Sequence, residues 1–229
     1  MKKVAICSLK EVPRIKKSIK KAGFVIDQKN PDFVFCYGGD GTILFAESKY
    51  PSVPKLTIKS TEICHRCDIK SLAFDAILRK IKKRKYRIVK DIKLQAISKG
   101  RKLIGLNEIQ VHTKLPIRAI RFSVSVGKKK FSNLIGDGVI VATPFGSTAY
   151  YTSSGGKPFK KGIGISFNNL FDKKIKSLVF PDNSKVRIKV ERGPAFLFAD
   201  NNEKFVLLNT GDTVTVSKSK EVAKFIQLK

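Results

Sequence analysis

The chain has 229 residues, 42% of them hydrophobic, and a formal charge of +29. That length supports one large domain or two small ones, and that composition excludes a disordered chain. No apolar run approaches a membrane span, and the apolar part of Met1-Lys2-Lys3-Val4-Ala5-Ile6-Cys7-Ser8 is too short for a signal sequence, so a cytoplasmic protein is expected. The excess of 47 Lys+Arg over 18 Asp+Glu suits polyanions: nucleic acid, nucleotides or polyphosphate. The lysines are spread along the chain. The densest cluster, Arg79 to Lys93, reads as a wet helix face followed by a strand start.

Lys3 to Ser8 predicts a first strand. Val12, Ile15, Ile19 and Ala22 recur at helical spacing, and Gly23 ends that helix. Asp32 to Tyr37 predicts a buried parallel strand, which runs into Gly38-Gly39-Asp40-Gly41-Thr42. Glycines there let the backbone turn and approach a ligand, and Thr42 is expected to cap a helix through Ile43, Leu44, Phe45 and Ala46. A helix N-terminus after such a turn is an anion site. Asp40, beside it, could take a proton from an attacking hydroxyl, hold a metal ion, or simply bond its own turn. Pro54 to Lys59 predicts a third strand, and Leu72, Ala73, Ala76, Ile77 and Ile81 another helix. Alternating strands and helices predict a small open α/β domain.

From about residue 86 the period changes to two. Tyr86–Val89, Ile92–Ile97, Ile117–Val126, Val139–Ala142, Ile163–Phe167, Lys185–Val190, Ala195–Ala199, Phe205–Leu208 and Thr213–Val216 read as strands, with turns at Lys99-Gly100-Arg101 and Gly127-Lys128. A β-sandwich is predicted. The expected organisation is an α/β domain over 1–85 and a mostly-β sandwich over 86–229, whose last segment is free to return to the first domain.

Three polar stretches interrupt the β-rich part. Asn107-Glu108 sets an amide beside a carboxylate; on a regular strand they would face opposite ways, so a bend is needed for both to meet one ligand. Gly136-Asp137-Gly138 is a second glycine-flanked Asp. Thr143-Pro144-Phe145-Gly146-Ser147-Thr148-Ala149-Tyr150-Tyr151-Thr152-Ser153-Ser154 combines hydroxyls with an aromatic fit to stack on a base; Ser147 is expected to cap a helix over Thr148 to Ser153. Of the four cysteines, Cys7 and Cys36 read as core residues. Cys64-His65-Arg66-Cys67 has too few partner ligands for zinc; two thiols or a redox pair are expected.

Taken in order, Gly38-Gly39-Asp40-Gly41-Thr42, Asn107-Glu108, Gly136-Asp137-Gly138 and Thr143–Tyr150, with Leu178–Ser184 and Ala199-Asp200, resemble the NAD kinase family over most of the chain. The resemblance implies transfer of a terminal phosphate, from ATP or polyphosphate, to the 2′-hydroxyl of the adenosine ribose of NAD. It implies Asp40 as the catalytic base. Gly39, Gly41 and Thr42 would lie at the donor phosphates, with a divalent cation, usually Mg2+, held there by those phosphates. Asn107 and Glu108 would grip NAD. Asp137 would reach the nicotinamide end across a subunit boundary. Ser147, Thr148, Ala149, Tyr150 and Ser153 would line the adenine and ribose. It implies a homodimer or homotetramer, with no membrane and no nucleic acid as partner. The family's glycine-rich stretch after the third strand is missing: Lys59–Cys67 stands there without glycines. Phe145 replaces a common Thr, and Asn201 a common Gly. Two other readings are a polyanion- or nucleic-acid-binding protein on an inactive scaffold, and a diacylglycerol-type lipid kinase sharing Gly-Gly-Asp-Gly. The latter leaves Thr148–Tyr150 unexplained.

Overall fold

The computed structural model describes residues 2–59, 69–70, 74–172 and 174–229. Cys64 and Cys67 therefore lie outside the described residues, as does most of the atypical 59–67 stretch. The chain forms two compact units: one runs to Asp91 and includes Val222–Lys229, and the other is Ile92–Glu221.

The first unit contains, in chain order, β1 (Lys3–Cys7), α1 (Pro13–Lys21), β2 (Val25–Ile26), β3 (Phe33–Gly38), α2 (Asp40–Lys49), β4 (Lys55–Lys59), β5 (Ile69–Lys70) and α3 (Phe74–Lys82). The strands pair in parallel in the order β2-β1-β3-β4-β5. β3 is central and covered on both sides, which is why its sequence is an unbroken apolar run. Ile15 and Ile19 of α1 and Phe74, Ile77, Leu78 and Ile81 of α3 pack with Val4, Phe33, Phe35, Leu56 and Ile58. Alternation turns Val34 and Cys36 to the other side, where α2 packs on β3, β1 and β4. Cys7 and Cys36 are buried register partners, and desolvation pushes both thiols up, so they behave as small core residues. Lys55 is also buried. Its ammonium donates to the Tyr50 and Val53 carbonyls and pairs with Glu47. The basic run from Lys82 to Lys85 is exposed, as expected of a wet helix end.

The chain crosses to the second unit along β6 (Tyr86–Ser98). There follow β7 (Arg101–Gly105), β8 (Glu108–Thr113), β9 (Ile120–Val126), β10 (Lys129–Gly136), β11 (Gly138–Ala142), α4 (Tyr150–Ser153), β12 (Ile163–Asn168), β13 (Leu178–Phe180), β14 (Val186–Arg192), β15 (Ala195–Ala199), β16 (Phe205–Leu208) and β17 (Thr213–Leu228). One antiparallel sheet runs β13-β12-β11-β8-β15-β16. The other sheet contributes β10-β9-β14-β17, with β6 and β7 joined through β17. Ile109, Val111, Val139, Val141, Ile165 and Leu197 from the first face Phe122, Val124, Ile188, Val190, Val214 and Val216 from the second. This is the sandwich that the period-two pattern predicts. One expectation is corrected. The last strand does not stop at Val216 but continues to Leu228, leaving the second unit and reaching the first, where Phe225 pairs in parallel with Lys55. Its lysines at 218, 220 and 224 mask the apolar alternation.

The β3–α2 junction sets the first unit's polar loop. A Cβ at Gly38 would collide with the Thr42 side chain, which folds back over it. Gly38→Ala is expected to lower unfolding stability by about 1–3 kcal/mol, as overpacking does. The double variant with Thr42→Ala should recover part of the loss in a denaturant titration; equal losses in both would refute the collision.

Candidate active site

In the first unit, α2 begins directly at Asp40, with Gly39 in extended conformation as its N-cap. This corrects the expectation that Thr42 caps the helix. Thr42 is inside the first turn, buried, with its N–H donating to the Gly39 carbonyl at 3.0 Å. No side chain caps the helix, because the residue at the cap position is Gly39. Asp40 is half-buried at the first helical position, where a carboxylate is favoured by the helix dipole.

In the second unit the site is a corner. β7 ends at Gly105, the chain bends at Leu106 and Asn107, and β8 starts at Glu108. This is the bend that two adjacent residues need in order to present both side chains to one ligand. A bend leaves backbone N–H groups without ladder partners. Asp200, just beyond β15, supplies them. Its carboxylate accepts from the N–H of Leu106 at 2.7 Å, Asn107 at 2.7 Å and Glu108 at 3.1 Å. Its own N–H donates to the Glu108 carbonyl. The stretch after β11 closes on the same corner. The Thr143 hydroxyl donates to the Leu106 carbonyl at 2.6 Å and accepts from the Gly146 N–H, while the Thr143 N–H donates to the Asn107 carbonyl. A Cβ at Gly146 would run into the Asn107 backbone, so only glycine lets this turn come so close.

Gly146–Thr148 then form a 3-10 turn ahead of α4. Ser147 does not cap that helix, contrary to expectation; Ala149 stands at its start. Ser147 is buried instead, its hydroxyl bonding to the carbonyls of Pro144 and Phe159 and accepting from the Phe159 N–H. It staples the connection to its return, with Thr152 donating to the Ser147 carbonyl at 2.6 Å. Thr148 and Ala149 are half-buried and Ser153 is exposed. Tyr150 is 62% exposed, whereas its neighbour Tyr151 is buried against Phe159.

Asn107, Glu108, Thr143 and the Gly146–Ser153 turn are thus brought together at one end of the six-stranded sheet. Asp137 is not. It precedes β11, and Ala142 at the far end of that strand is the register partner of Glu108. A strand of this length puts Asp137 about 15 Å or more from the corner. There its carboxylate accepts from the Asn169 amide at 2.6 Å.

Two carboxyls at the corner have displaced acidities. Burial pushes Glu108 up to about 8, with the nearby Asp200 charge adding to the rise and the Gln110 amide opposing it. Burial also raises Asp200, against the pull of its three N–H donors. Asp200 is the residue that analysis of the sequence did not place in the site, although Ala199-Asp200 belongs to the resembling pattern. The bonds that give it a role span 92 to 94 residues. Among the described residues, no group of three His, Cys, Asp or Glu side chains is arranged to hold a metal ion, and no helix is long and apolar enough to cross a membrane.

Residues 106–228 match the family described as the ATP-NAD kinase C-terminal domain. An NAD kinase of Carboxydothermus hydrogenoformans is 32% identical over 218 residues, 89% of this chain and 78% of that protein. One of Thermoplasma volcanium is 31% identical over 89% of this chain and 76% of that protein. The chain belongs to the ATP-NAD kinase family. The fold of this family member agrees with that of an Archaeoglobus fulgidus NAD kinase in complex with ATP, at a TM-score of 0.85 and 24% identity, covering 99% of this chain and 93% of that one. A yeast NADH kinase complexed with NADH superposes at a TM-score of 0.87 and 16% identity, covering 100% and 84%.

Asp200→Ala removes the acceptor for three N–H groups, and stranded donors of this kind cost about 1–3 kcal/mol each when fully buried. The variant is expected to lose about 2–4 kcal/mol of stability. Amide exchange at Leu106, Asn107 and Glu108 should accelerate selectively; unchanged exchange there would refute the clasp.

Proposed function

We propose that this member of the ATP-NAD kinase family moves the terminal phosphate of ATP, or of polyphosphate, onto the 2′-hydroxyl of the adenosine ribose of NAD, and that it acts in the cytoplasm. The observation that carries this reading is similarity to NAD kinases across about nine-tenths of the chain. Neither the fold nor the relatives favour a polyanion binder or a lipid kinase.

In this reading Asp40 takes the proton of the 2′-hydroxyl as its oxygen bonds to the terminal phosphorus. The bond from that phosphorus to the bridging oxygen breaks, and ADP or the shortened polyphosphate leaves with the electron pair. The backbone N–H groups around Gly39 and Gly41, at the start of α2, cradle the donor phosphates, with Thr42 beside them. A divalent cation such as Mg2+, held by the donor phosphates, would neutralise their charge there. Asn107 and Glu108 grip NAD, and Thr148, Ala149, Tyr150 and Ser153 border its adenine and ribose, with Ser147 shaping their turn. An exposed ring on a hydroxyl-rich turn suits stacking on a base.

The protein works as a homodimer or homotetramer, with Asp137 serving the nicotinamide end of a neighbouring copy's NAD. Two features support this. Asp137 lies at the far end of β11 from its own chain's corner. The outer face of the six-stranded sheet carries an apolar patch at its β15–β16 edge, with Phe205 and Leu207 exposed and the Phe196 and Phe205 rings 4.6 Å apart.

Purified protein with NAD, Mg2+ and either ATP or polyphosphate should form NADP; no product with either donor would reject the reading. Asp40→Asn is expected to lower kcat by at least about a hundredfold, with thermal unfolding little changed because Gly39 supplies the helix cap. Near-normal NADP formation by that variant would remove Asp40 as the base. Tyr150→Ala is expected to raise the KM for NAD by about tenfold or more while kcat falls much less, the pattern of lost ground-state binding. A KM equal to wild type would take Tyr150 out of the site.

A further inference from the structure

The Glu108 carboxyl is an anomaly in its own site. It is 2% exposed, on the face of β8 opposite Ile109 and Val111, which enter the sandwich core. The Gln110 amide reaches its Oε1 only at 3.5 Å, and its Oε2 has no hydrogen-bond partner among the described residues. The nearest candidates along the corner are already used or have nothing to donate. Its register partner across β11 is Ala142. The Thr143 hydroxyl is committed to the Leu106 carbonyl, and the Leu106, Asn107 and Glu108 N–H groups are committed to Asp200.

The charged groups around it are few. From the end of β15 comes Asp200. On β6 is Lys93, which acts on Asp200 and also pairs with Glu221 at 3.7 Å. β8 adds the neutral Gln110 and, at the far end of the same face, His112, while β11 adds no charge. Two carboxyls this close do not both ionise readily. The geometry decides which keeps the proton: Asp200 is solvated by three N–H donors, and the Glu108 Oε2 by none.

Resting on the reading of Asn107-Glu108 as the NAD grip, we propose that Glu108 is a neutral acid in the free protein at neutral pH, and that its Oε2–H donates a hydrogen bond to an acceptor atom of the bound nucleoside. A protonated, buried oxygen without an acceptor is half of a hydrogen bond, and the ligand completes it. The carboxyl therefore selects for an acceptor at that point, and a ligand offering a donor there finds no partner. Proton loss by Glu108 turns its donor into an acceptor and weakens binding at alkaline pH.

The proton is tested without any nucleotide. In protein labelled at its glutamate carboxyl carbons, the NMR resonance absent from Glu108→Gln should titrate near pH 8. Titration below about pH 5, in the ordinary glutamate range, would overturn the proposal. The donor role is tested by calorimetry of NAD binding without a phosphate donor. Wild-type affinity should hold from pH 6 to about 7.5 and then fall about tenfold per pH unit above about 8, as loss of one required proton dictates. Glu108→Gln, which keeps a neutral donor, should bind NAD at least about tenfold more tightly than Glu108→Ala at pH 7 and show no alkaline fall. Wild-type affinity independent of pH up to about 9.5, or a Gln variant as weak as the Ala variant, would overturn it. The carboxyl titration stands apart from the kinase reading, which fails separately if the wild-type protein forms no NADP.

Discussion

Three backbone N–H groups at the β7–β8 bend converge on one carboxylate, and the arrangement of the second unit's polar end depends on that convergence. A chain that bends between two strands gives up ladder bonds at the bend, and a buried bend needs another acceptor. Asp200 is placed to provide it because Ala199 is held in register with Ile109 on β8. With Leu106 to Glu108 fixed, Thr143 and Gly146 have a rigid surface to close against, and the turn bearing Thr148 to Ser153 takes its position from them. The same carboxylate raises the cost of charge on Glu108. One side chain therefore sets the backbone, the neighbouring turn and the local acid–base state.

Much of this was legible in the sequence, for physical reasons that can be named. The run Phe33–Tyr37 reads as a covered strand because a central parallel strand has no wet face, and the glycines after it read as a turn because few other residues allow one. The bend at Asn107-Glu108 follows from asking how two neighbours on a strand could meet one ligand. The caps were not legible. Thr42 and Ser147 have hydroxyls of the right type in the right place, but the helices start at other residues and the hydroxyls serve tertiary contacts. Local preference names candidates, and packing chooses among them. Asp200 and the proton state of Glu108 depend on strand register across more than ninety residues, which no local pattern encodes.

The charge balance is informative in a limited way. Most lysines are at the surface, as the dispersed pattern suggests. Lys55 and Lys93 are buried beside carboxylates and belong to the folded framework rather than to any field reaching out to a ligand. Net charge thus points to a class of polyanionic partner, while the ordered polar stretches and the relatives narrow it to a nucleotide.

The path of β17 bears on how the protein comes into being. Val222–Lys229 belongs to the first unit: Phe225 pairs with Lys55, Ile226 joins the core around α1 and α3, and the Lys229 N–H donates to the Lys85 carbonyl. An N-terminal domain ordinarily folds as it emerges during synthesis. Here the parallel sheet that carries the glycine turn stays incomplete until residues 222–229 have been made, and the sandwich, whose strands are contiguous in sequence, has its full complement first. Removing residues 222–229 would thus injure the first unit rather than the sandwich that precedes them in the sequence.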